Sequence, residues 1–472
     1  MRHIGRFALA STTIFSLLAC TASSGESEPA SGPPPTGDGR PGALGIGDPD
    51  FPLDGNGGYD VRHYSLRLDY DPAVKKLDGQ AVIRANAVQD LSRFNLDLSG
   101  LDVRSVSVDD SPATFSRDGD ELTVTPAEVL RDGAAFAVKV EYGGRPEPIR
   151  DANNLGVYGF IPTADGAFVT GEPNGAKTWF PANDHPADKA TYDFEITVPK
   201  GLTALANGEM VGKPRQTDGK TTFVWRETHP MVTYLATMTL GKFDLRTGKT
   251  AAGVPNLAAT DPKYRSSLND LYTTSGKITD YWSSVFGPYP FGSTGGVVDD
   301  YAAGYALENQ TKPMYGGFAP DEGIIAHELA HQWFGNSLSI RRWQDLWLNE
   351  GFATYAEWLW SEHTGKQSAE QIFQGHYRSE ASPMWEYPPG KARPDDLFNS
   401  SVYTRGGMTL HALRQRIGDT AFFDLLRAYN ARYEYGSVTT DEFVDMAERR
   451  SGKKLGELFK AWLFTPARPT DW

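Results

Sequence analysis

Hydrophobic and polar residues alternate along much of the first half of the chain, from about Tyr59 onward. In residues 64–70, 136–142 and 192–198, apolar side chains recur at every second position, so each run has one apolar face and one polar face. A period of two is typical of strands with one buried face, and turn-forming Gly and Asp residues separate the runs. The sequence therefore predicts a mainly antiparallel β-region up to about Asp244.

The spacing of apolar residues becomes helical after about Lys263. Pro320, Asp321 and Glu322 are typical of a helix start, because proline and acidic side chains are favoured in the first turn. The second helix is predicted over residues 345–362. Further helical stretches are predicted over residues 408–417, 420–433 and 440–462. The chain is therefore predicted to be an α+β multidomain protein, with β-structure first and mainly helical structure after it.

Composition limits the chemistry that the chain can perform. Its 472 residues are enough for about two to four domains. The net charge of −14 argues against a nucleic-acid-binding protein, because a phosphate binder needs a basic surface. Cys20 is the only cysteine. A disulfide within the chain is therefore excluded, and a metal site in the folded body must be built from histidine and carboxylate side chains.

His327-Glu328-Leu329-Ala330-His331 lies within the first of these predicted helices. Residues four apart share one face of a helix, so both imidazoles can reach one metal ion. The glutamate next to the first histidine can act as general base on a water molecule. This spacing indicates a zinc site with His327 and His331 as ligands and Glu328 as the base.

Glu350 is the candidate third ligand, on the next predicted helix and nineteen residues after His331. Its neighbours Trp347, Leu348 and Phe352 are too apolar for a wholly exposed turn. Catalytic zinc takes three protein ligands and keeps a further position open for water. Two histidines and one glutamate are therefore predicted to bind one Zn²⁺ per chain in a hydrolytic site.

The paired motifs resemble those of a known family. The segment from His327 to Asn336, His-Glu-Leu-Ala-His-Gln-Trp-Phe-Gly-Asn, followed by Asn349-Glu350-Gly351-Phe352-Ala353, is similar to the aminopeptidase N family of gluzincins, which also includes leukotriene hydrolase-type enzymes. The resemblance extends from Tyr59 to the C-terminus. It implies an N-terminal antiparallel β-domain followed by a thermolysin-like, mainly helical zinc catalytic domain.

Tyr305-Ala306-Leu307-Glu308-Asn309 resembles the exopeptidase motif Gly-Ala-Met-Glu-Asn of that family. The resemblance implies that Glu308 binds the free α-amine of a peptide, and a carboxylate is the natural partner of an ammonium group in a water-poor cleft. Tyr305 replaces the glycine of the motif and Leu307 replaces its methionine. A side chain at Tyr305 is expected to alter how closely the substrate backbone approaches.

Two further site residues are implied by the same resemblance. Tyr403-Thr404-Arg405-Gly406-Gly407 is similar to the family's Tyr-x-Lys-Gly segment, which implies that Tyr403 donates a hydrogen bond to the oxyanion of the tetrahedral intermediate. Arg405 keeps the charge of the usual lysine. Gly171-Glu172-Pro173 is similar to a segment of the β-domain that reaches the active site. Glu172 is the candidate second carboxylate for the amine, and a structural role is the alternative.

The first nineteen residues are predicted to be an export signal. Arg2 and Arg6 precede an uncharged, mostly apolar stretch over residues 7–19, which is too short to span a bilayer as a helix. Leu17-Leu18-Ala19-Cys20 resembles the bacterial lipobox, which implies acylation of Cys20 and attachment to the membrane. An ordinary signal peptide on a secreted protein is the alternative.

The predicted organisation has four parts. Residues 1–19 are the signal peptide, and residues 20–50 are a lipidated flexible tether, because their Gly, Pro, Ser and Thr content buries little surface. Residues 51–245 are the N-terminal β-domain, and residues 246–472 are the catalytic domain.

The predicted function is an exported zinc aminopeptidase that hydrolyses the N-terminal peptide bond of peptides. A thermolysin-like endopeptidase, which would not need Glu308, and a catalytically inactive scaffold of the same family are the alternatives. Epoxide hydrolysis has no specific support in the sequence. Peptides are the expected partners, nucleic acid is not, and the oligomeric state stays open.

Overall fold

The computed structural model describes residues 38–152, 155–379 and 382–470. The predicted signal peptide, Cys20 and the first part of the predicted tether lie outside the described residues. A β-rich N-terminal domain is followed by a mainly helical domain, so the predicted fold class is confirmed. Within the described part of the chain, no helix is long and apolar enough to cross a membrane.

A nine-stranded sheet is the main element of the N-terminal domain. Its central strand, Tyr59–Asp71, pairs antiparallel with Lys76–Ala87 and parallel with Ala190–Pro199. Burial alternates along these strands, because one face of the sheet packs on the core. The ninth strand, Arg215–Thr217, lies beside Lys220–Met231 and outside the main order. The other eight strands follow one another across the sheet in the order Glu209–Met210, Lys220–Met231, Ala190–Pro199, Tyr59–Asp71, Lys76–Ala87, Ala135–Gly144, Asp102–Val108 and Ser111–Pro112.

Two smaller sheets complete the N-terminal domain and share its hydrophobic core. The four-stranded sheet contains, in spatial order, Arg40–Pro41, Leu91–Asp97, Glu121–Thr125 and Thr114–Asp118. The five-stranded sheet contains Ile149–Asp151, Gly156–Pro162, Ala167–Thr170, Met238–Gly241 and Thr203–Ala206. Glu172 lies two residues after the end of the strand Ala167–Thr170, so this five-stranded sheet positions one of the candidate site residues.

The C-terminal end of the predicted tether is packed against the folded body. Arg40–Pro41 pairs with Leu91–Asp97, and Asp48 is buried. Oδ2 of Asp48 accepts a hydrogen bond from the backbone N–H of Trp343 at 2.9 Å and lies 3.2 Å from Nε2 of His185. Residues 38–58, here called the N-terminal strap, therefore contact both domains. Composition predicted little burial for the first part of this segment, residues 38–50, but the partners of Asp48 compensate the loss of water.

The second domain is mainly helical, as predicted. Its α-helices, counted over the described residues, are α1 Leu268–Phe286, α2 Glu322–Ala330, α3 Trp347–His363, α4 Ala369–Tyr377, α5 Gly406–Ile417, α6 Asp419–Tyr433, α7 Thr440–Ser451 and α8 Gly456–Phe459. The stretch predicted to be helical over residues 440–462 is interrupted, because Gly452 adopts a left-handed conformation with φ of 66° and ends α7.

A five-stranded sheet in the second domain was not predicted. Its strands, in spatial order, are Asp244–Lys249, Pro255–Thr260, Thr294–Asp299, Met314–Gly316 and Ala306–Leu307, and a separate pair joins Ser339–Ile340 to Ser437–Val438. The predicted domain boundary between residues 245 and 246 falls inside the first of these strands. Thr294–Asp299 is buried along its whole length, so it lacks the alternation that reveals a strand in the sequence. Glu308 follows the edge strand Ala306–Leu307.

Candidate active site

Helix α2 carries the histidine motif, and a side-chain cap fixes its start. Asp321 accepts a hydrogen bond from the N–H of Ile324 at 3.0 Å, which is the usual role of aspartate at a helix N-cap. On the inner face of the helix, Leu329 is fully buried in the core. His327 and Glu328 on α2, and His331 at its C-terminal cap, line a cavity between the domains.

Two glycines set how closely α3 approaches α5. A Cβ atom on Gly351 would lie 2.8 Å from the carbonyl carbon of Gly406, which is closer than non-bonded atoms come. Gly351 follows Glu350, and Gly406 follows the π-helical turn Ser401–Arg405 that carries Tyr403. Because neither glycine has a side chain, the backbones touch, and Glu350 and Tyr403 line the same cavity.

His327, His331 and Glu350 turn their ligand atoms toward one point. The Nε2 atoms of His327 and His331 lie 3.3 and 3.5 Å from Oε2 of Glu350. Ligand atoms about 2.0–2.1 Å from a tetrahedral zinc ion are about 3.3 Å apart, so these separations fit zinc. Burial raises the pKa of Glu350, but the two histidines outweigh it and the pKa falls to about 2. The carboxylate is therefore ionised beside the two histidines.

The second ring nitrogen of each histidine has its own acceptor. Nδ1 of His327 donates to Oε1 of Glu357 at 2.7 Å, and Nδ1 of His331 donates to the backbone oxygen of Phe334 at 3.0 Å. These partners fix a proton on Nδ1 and orient Nε2, the atom that faces Glu350, toward the place a metal ion would take. Sequence reasoning missed Glu357, although its place seven residues after Glu350 puts it on the same face of α3.

Glu328 lines the cavity beside the three ligands. Its carboxylate lies within 4.8 Å of the ligand atoms of both His331 and Glu308. Burial raises the pKa of Glu328 to about 8. A carboxyl group in such a position can accept a proton and release it again near neutral pH.

The cavity has a volume of about 280 Å³ and a strongly acidic lining. Its described lining contains no lysine or arginine. The carboxylates come from Glu172, Glu308, Glu328, Glu350 and Glu357. Apolar surface comes from Leu155, Leu307, Phe318 and Ile324. The ring of Tyr403 lies 6.2 Å from that of His327 and nearly parallel to it. Such a lining attracts a positively charged group.

Glu172 and Glu308 come from different domains and meet in this cavity. Their carboxylate oxygens lie within 4.8 Å of one another, and both side chains are buried. Burial raises the pKa of Glu172 well above its ordinary value, the charge of Glu308 raises it further, and burial also raises the pKa of Glu308. Oε1 of Glu172 has no hydrogen-bond partner among the described residues. An ammonium group between them would supply the missing positive charge.

The segment after the histidine motif holds the backbone of Glu308. Nε2 of Gln332 and Nδ2 of Asn336 donate to the backbone oxygen of Glu308 at 3.1 and 2.8 Å. The Tyr234 hydroxyl donates to Oε1 of Glu308 at 2.9 Å. Tyr234 lies 74 residues away along the chain, outside every motif, so no sequence signal marked it.

Tyr305, which replaces the glycine of the exopeptidase-like motif, also ties the domains together. Its hydroxyl donates to the backbone oxygen of Val157 at 2.8 Å and lies 2.8 Å from Oγ1 of Thr170. Thr170 stands two residues before Glu172. The Tyr305 ring lines the cavity, so this side chain narrows the space beside the two carboxylates.

Arg405 does not line the cavity. It is fully buried, and its guanidinium donates to the backbone oxygens of Trp385, Ala461 and Thr465 at 3.1, 3.0 and 2.6 Å. Arg405 has the same charge as the family's lysine, and this charged group hydrogen-bonds to three carbonyl groups. It fixes the turn that carries Tyr403 to the C-terminal segment.

Two family models match the chain. The Peptidase M1 N-terminal domain matches residues 61–235, and the Peptidase family M1 domain matches residues 320–462. The chain belongs to peptidase family M1. The predicted resemblance to the aminopeptidase N family is thereby confirmed. M1 zinc metallopeptidases carry a single catalytic zinc ion, and the His327, His331 and Glu350 donor set of this M1 chain fits it.

Solved structures and curated relatives agree with this assignment. An M1 zinc metallopeptidase from Deinococcus radiodurans superposes with a TM-score of 0.85 and 29% identity, covering 90% of this chain and 98% of that chain. A mutant of the M1 zinc metallopeptidase from that organism, bound to a Tyr-Ser-Ala substrate, gives 0.82 and 28%, covering 90% and 99%. Aminopeptidase N of Lactococcus lactis subsp. lactis is 28% identical over 446 residues, which are 86% of this chain and 51% of the relative. The chain spans about half the length of the curated relatives it matches.

Proposed function

We propose that this protein is an aminopeptidase that hydrolyses the N-terminal peptide bond of peptides. One observation carries the proposal: a buried pair of carboxylates, Glu172 and Glu308, lies beside a donor set that fits zinc. The charged amine of a peptide is the group that such a pair binds best. Two comparisons support the same activity. A relative from Lactococcus is named aminopeptidase N, and the Deinococcus mutant binds a tripeptide substrate.

The chemistry follows from the placement of the side chains. A zinc ion held by His327, His331 and Glu350 would act as a Lewis acid on the scissile carbonyl and on a water molecule. Glu328 takes a proton from the attacking water and later passes it to the leaving amine. Tyr403 donates its hydroxyl proton in a hydrogen bond to the oxyanion that develops in the transition state.

The carboxylate pair turns hydrolysis into removal of one residue at a time. Glu350 shares a 4.8 Å cluster with Glu172 and Glu308, so an ammonium group held by the pair lies close to the metal ligands. The first peptide bond then reaches the reacting groups, and later bonds do not. If the protein were an endopeptidase, the carboxylate pair would have no role. If it were an inactive scaffold, Glu328, Tyr403 and the three metal ligands would have no role.

The test is digestion of one peptide in two forms, with a free and with an acetylated N-terminus. Mass spectrometry should show stepwise loss of N-terminal residues from the free form alone. Glu308→Ala should retain zinc and lose most of this activity, whereas Glu457→Ala, which changes an exposed glutamate in α8, should behave as the wild type. Internal cleavage of both forms at similar rates would overturn the proposal in favour of an endopeptidase.

We also propose that the protein is exported and held at the membrane by a lipid on Cys20. The support is the sequence alone: a charged start, an apolar stretch and the Leu-Leu-Ala-Cys boundary. Cys20→Ser should leave the membrane fraction, while the adjacent Thr21→Ser should remain in it. A single acyl chain binds membranes only marginally, so stable retention requires more than one chain. Full membrane retention of Cys20→Ser would contradict this proposal.

A further inference from the structure

Tyr234 makes the only side-chain hydrogen bond that reaches Glu308 from the N-terminal domain within the described chain. Its hydroxyl lies 2.9 Å from Oε1 of Glu308, and both side chains are buried. An ionised carboxylate can only accept, so the tyrosine is the donor. One oxygen of Glu308 is thereby occupied by a fixed neutral donor, and the other is left for a charged ligand.

The backbone on each side of this bond is also fixed. Nδ2 of Asn309 donates to the backbone oxygen of Leu235 at 2.9 Å, so two consecutive residues of the exopeptidase-like motif bind two consecutive residues of the N-terminal domain. Nδ2 of Asn207 donates to the same oxygen at 2.8 Å. Tyr234 is therefore held in place independently of its bond to Glu308.

Tyr234 also contacts the segment that carries the second carboxylate. A Cβ atom on Gly171 would lie 2.5 Å from the backbone oxygen of Tyr234, so the glycine packs directly on this residue. Glu172 is the next residue. Behind the tyrosine, the centre of the Trp343 ring lies 5.7 Å from that of the Tyr234 ring, and the backbone N–H of Trp343 donates to Asp48 of the N-terminal strap. Tyr234 thus lies between the segments that carry Glu172 and Glu308, and its ring packs against Trp343.

From these contacts we infer that Tyr234 is a positioning residue for amine recognition. It orients the Glu308 carboxylate, and it spaces Glu308 from Glu172, so that the free oxygens of the two side chains converge on one ammonium group. This inference rests on the proposed aminopeptidase function, because it assigns a role within the amine-binding pair. Tyr234 itself touches neither the scissile bond nor a metal ligand in this arrangement.

The experiment compares Tyr234→Phe with Tyr142→Phe. The control removes another buried hydroxyl of the N-terminal domain, one that donates to the backbone oxygen of Trp179 at 3.0 Å instead of to Glu308. With free-amine peptides, Tyr234→Phe should lower kcat/KM by about 10-fold or more, mainly through a higher KM, because a hydrogen bond to a charged group is lost. Zinc content should match the wild type, and Tyr142→Phe should keep the wild-type KM.

A double-mutant cycle tests whether the effect acts through Glu308. In a Glu308→Ala background, adding Tyr234→Phe should change kcat/KM by less than about 2-fold. An undiminished effect in that background, or a wild-type KM for Tyr234→Phe, would overturn the inference. If instead the wild type cleaves free and acetylated peptides equally, the proposed function fails, and this outcome is seen without any variant.

Discussion

Gly351 and Gly406 pack backbone against backbone at the crossing of α3 and α5, where a Cβ on Gly351 would lie 2.8 Å from the carbonyl carbon of Gly406. Gly351→Ala should force the two helices apart, lower the free energy of unfolding by about 1–3 kcal/mol and reduce kcat, because Glu350 and Tyr403 separate. Denaturant unfolding and steady-state kinetics measure both effects.

Gly375 in α4 provides the matched control for this substitution. A Cβ at Gly375 meets no atom within 4 Å, and alanine is the better helix former. Gly375→Ala should therefore be neutral or stabilising and fully active. If Gly351→Ala and Gly375→Ala were equally stable, the contact between α3 and α5 would tolerate a methyl group at Gly351.

Glu357 should tune metal affinity through His327. Replacing it with glutamine weakens the acceptor for Nδ1 of His327, and partners of this kind commonly contribute 10- to 100-fold in metal affinity. Glu357→Gln should therefore bind zinc about 10- to 100-fold more weakly, as measured by competition with a chelator, without reference to activity. Glu457→Gln, at an exposed position, should bind zinc as the wild type does. Unchanged affinity in Glu357→Gln would remove Glu357 from the metal site.

Much of the site could be predicted from the sequence, because its residues lie in short motifs. Two of these features are local: the spacing of His327 and His331, and the capping residue Asp321. Local features can be recognised from the sequence without knowledge of the fold. Tyr234 could not be found in this way, since only the fold brings it to Glu308. The sheet of the second domain was missed because its buried strand Thr294–Asp299 shows no alternation of apolar and polar residues. The end of α7 at Gly452 was missed because helical spacing of apolar residues continues beyond this left-handed glycine.

Arg405 should matter for stability more than for substrate binding. Arg405→Met leaves three buried carbonyl groups without their donors, and each loss costs about 1–3 kcal/mol. We expect the free energy of unfolding to fall by about 3 kcal/mol or more. Arg405→Lys, which keeps the charge, should lose less and retain more activity than Arg405→Met. Equal loss in both variants would mean that the charge makes no contribution.

Lys189 predicts a pH dependence of stability. Its Nζ donates to the backbone oxygens of Asn336 and Ser337, both at 2.8 Å, and burial lowers the pKa of Lys189 from 10.5 to about 7. Between these values the unfolded chain binds one more proton, so the contribution of Lys189 to stability rises with pH, by up to about 1.4 kcal/mol per pH unit. Below pH 7 the cost of the buried charge is fully present.

The comparison for this effect is Lys189→Met, measured by denaturant unfolding at several values from pH 6 to 9. The stability difference between the wild type and the variant should move in favour of the wild type as the pH rises through 7. Parallel curves across this range would contradict the lowered pKa.

The acidic cavity predicts which peptides are poor substrates. Its described lining contains five glutamates and no basic residue, so an acidic first side chain meets like charges. Peptides that begin with Asp or Glu should be cleaved with kcat/KM at least about 10-fold below peptides that begin with Ala or Arg. Moving the acidic residue to the far end of the peptide is the control and should restore the rate. Equal rates for acidic and basic first residues would exclude electrostatic selection.

The buried position of Asp48 has a thermodynamic consequence for the whole molecule. If either domain unfolded alone, Asp48 would lose its shielding, and either the N–H of Trp343 or the ring of His185 would lose its partner. We therefore expect the N-terminal strap to couple the unfolding of the two domains into one cooperative transition. A scanning calorimeter should record a single heat-absorption peak for the intact chain, and Asp48→Ala should split or broaden it.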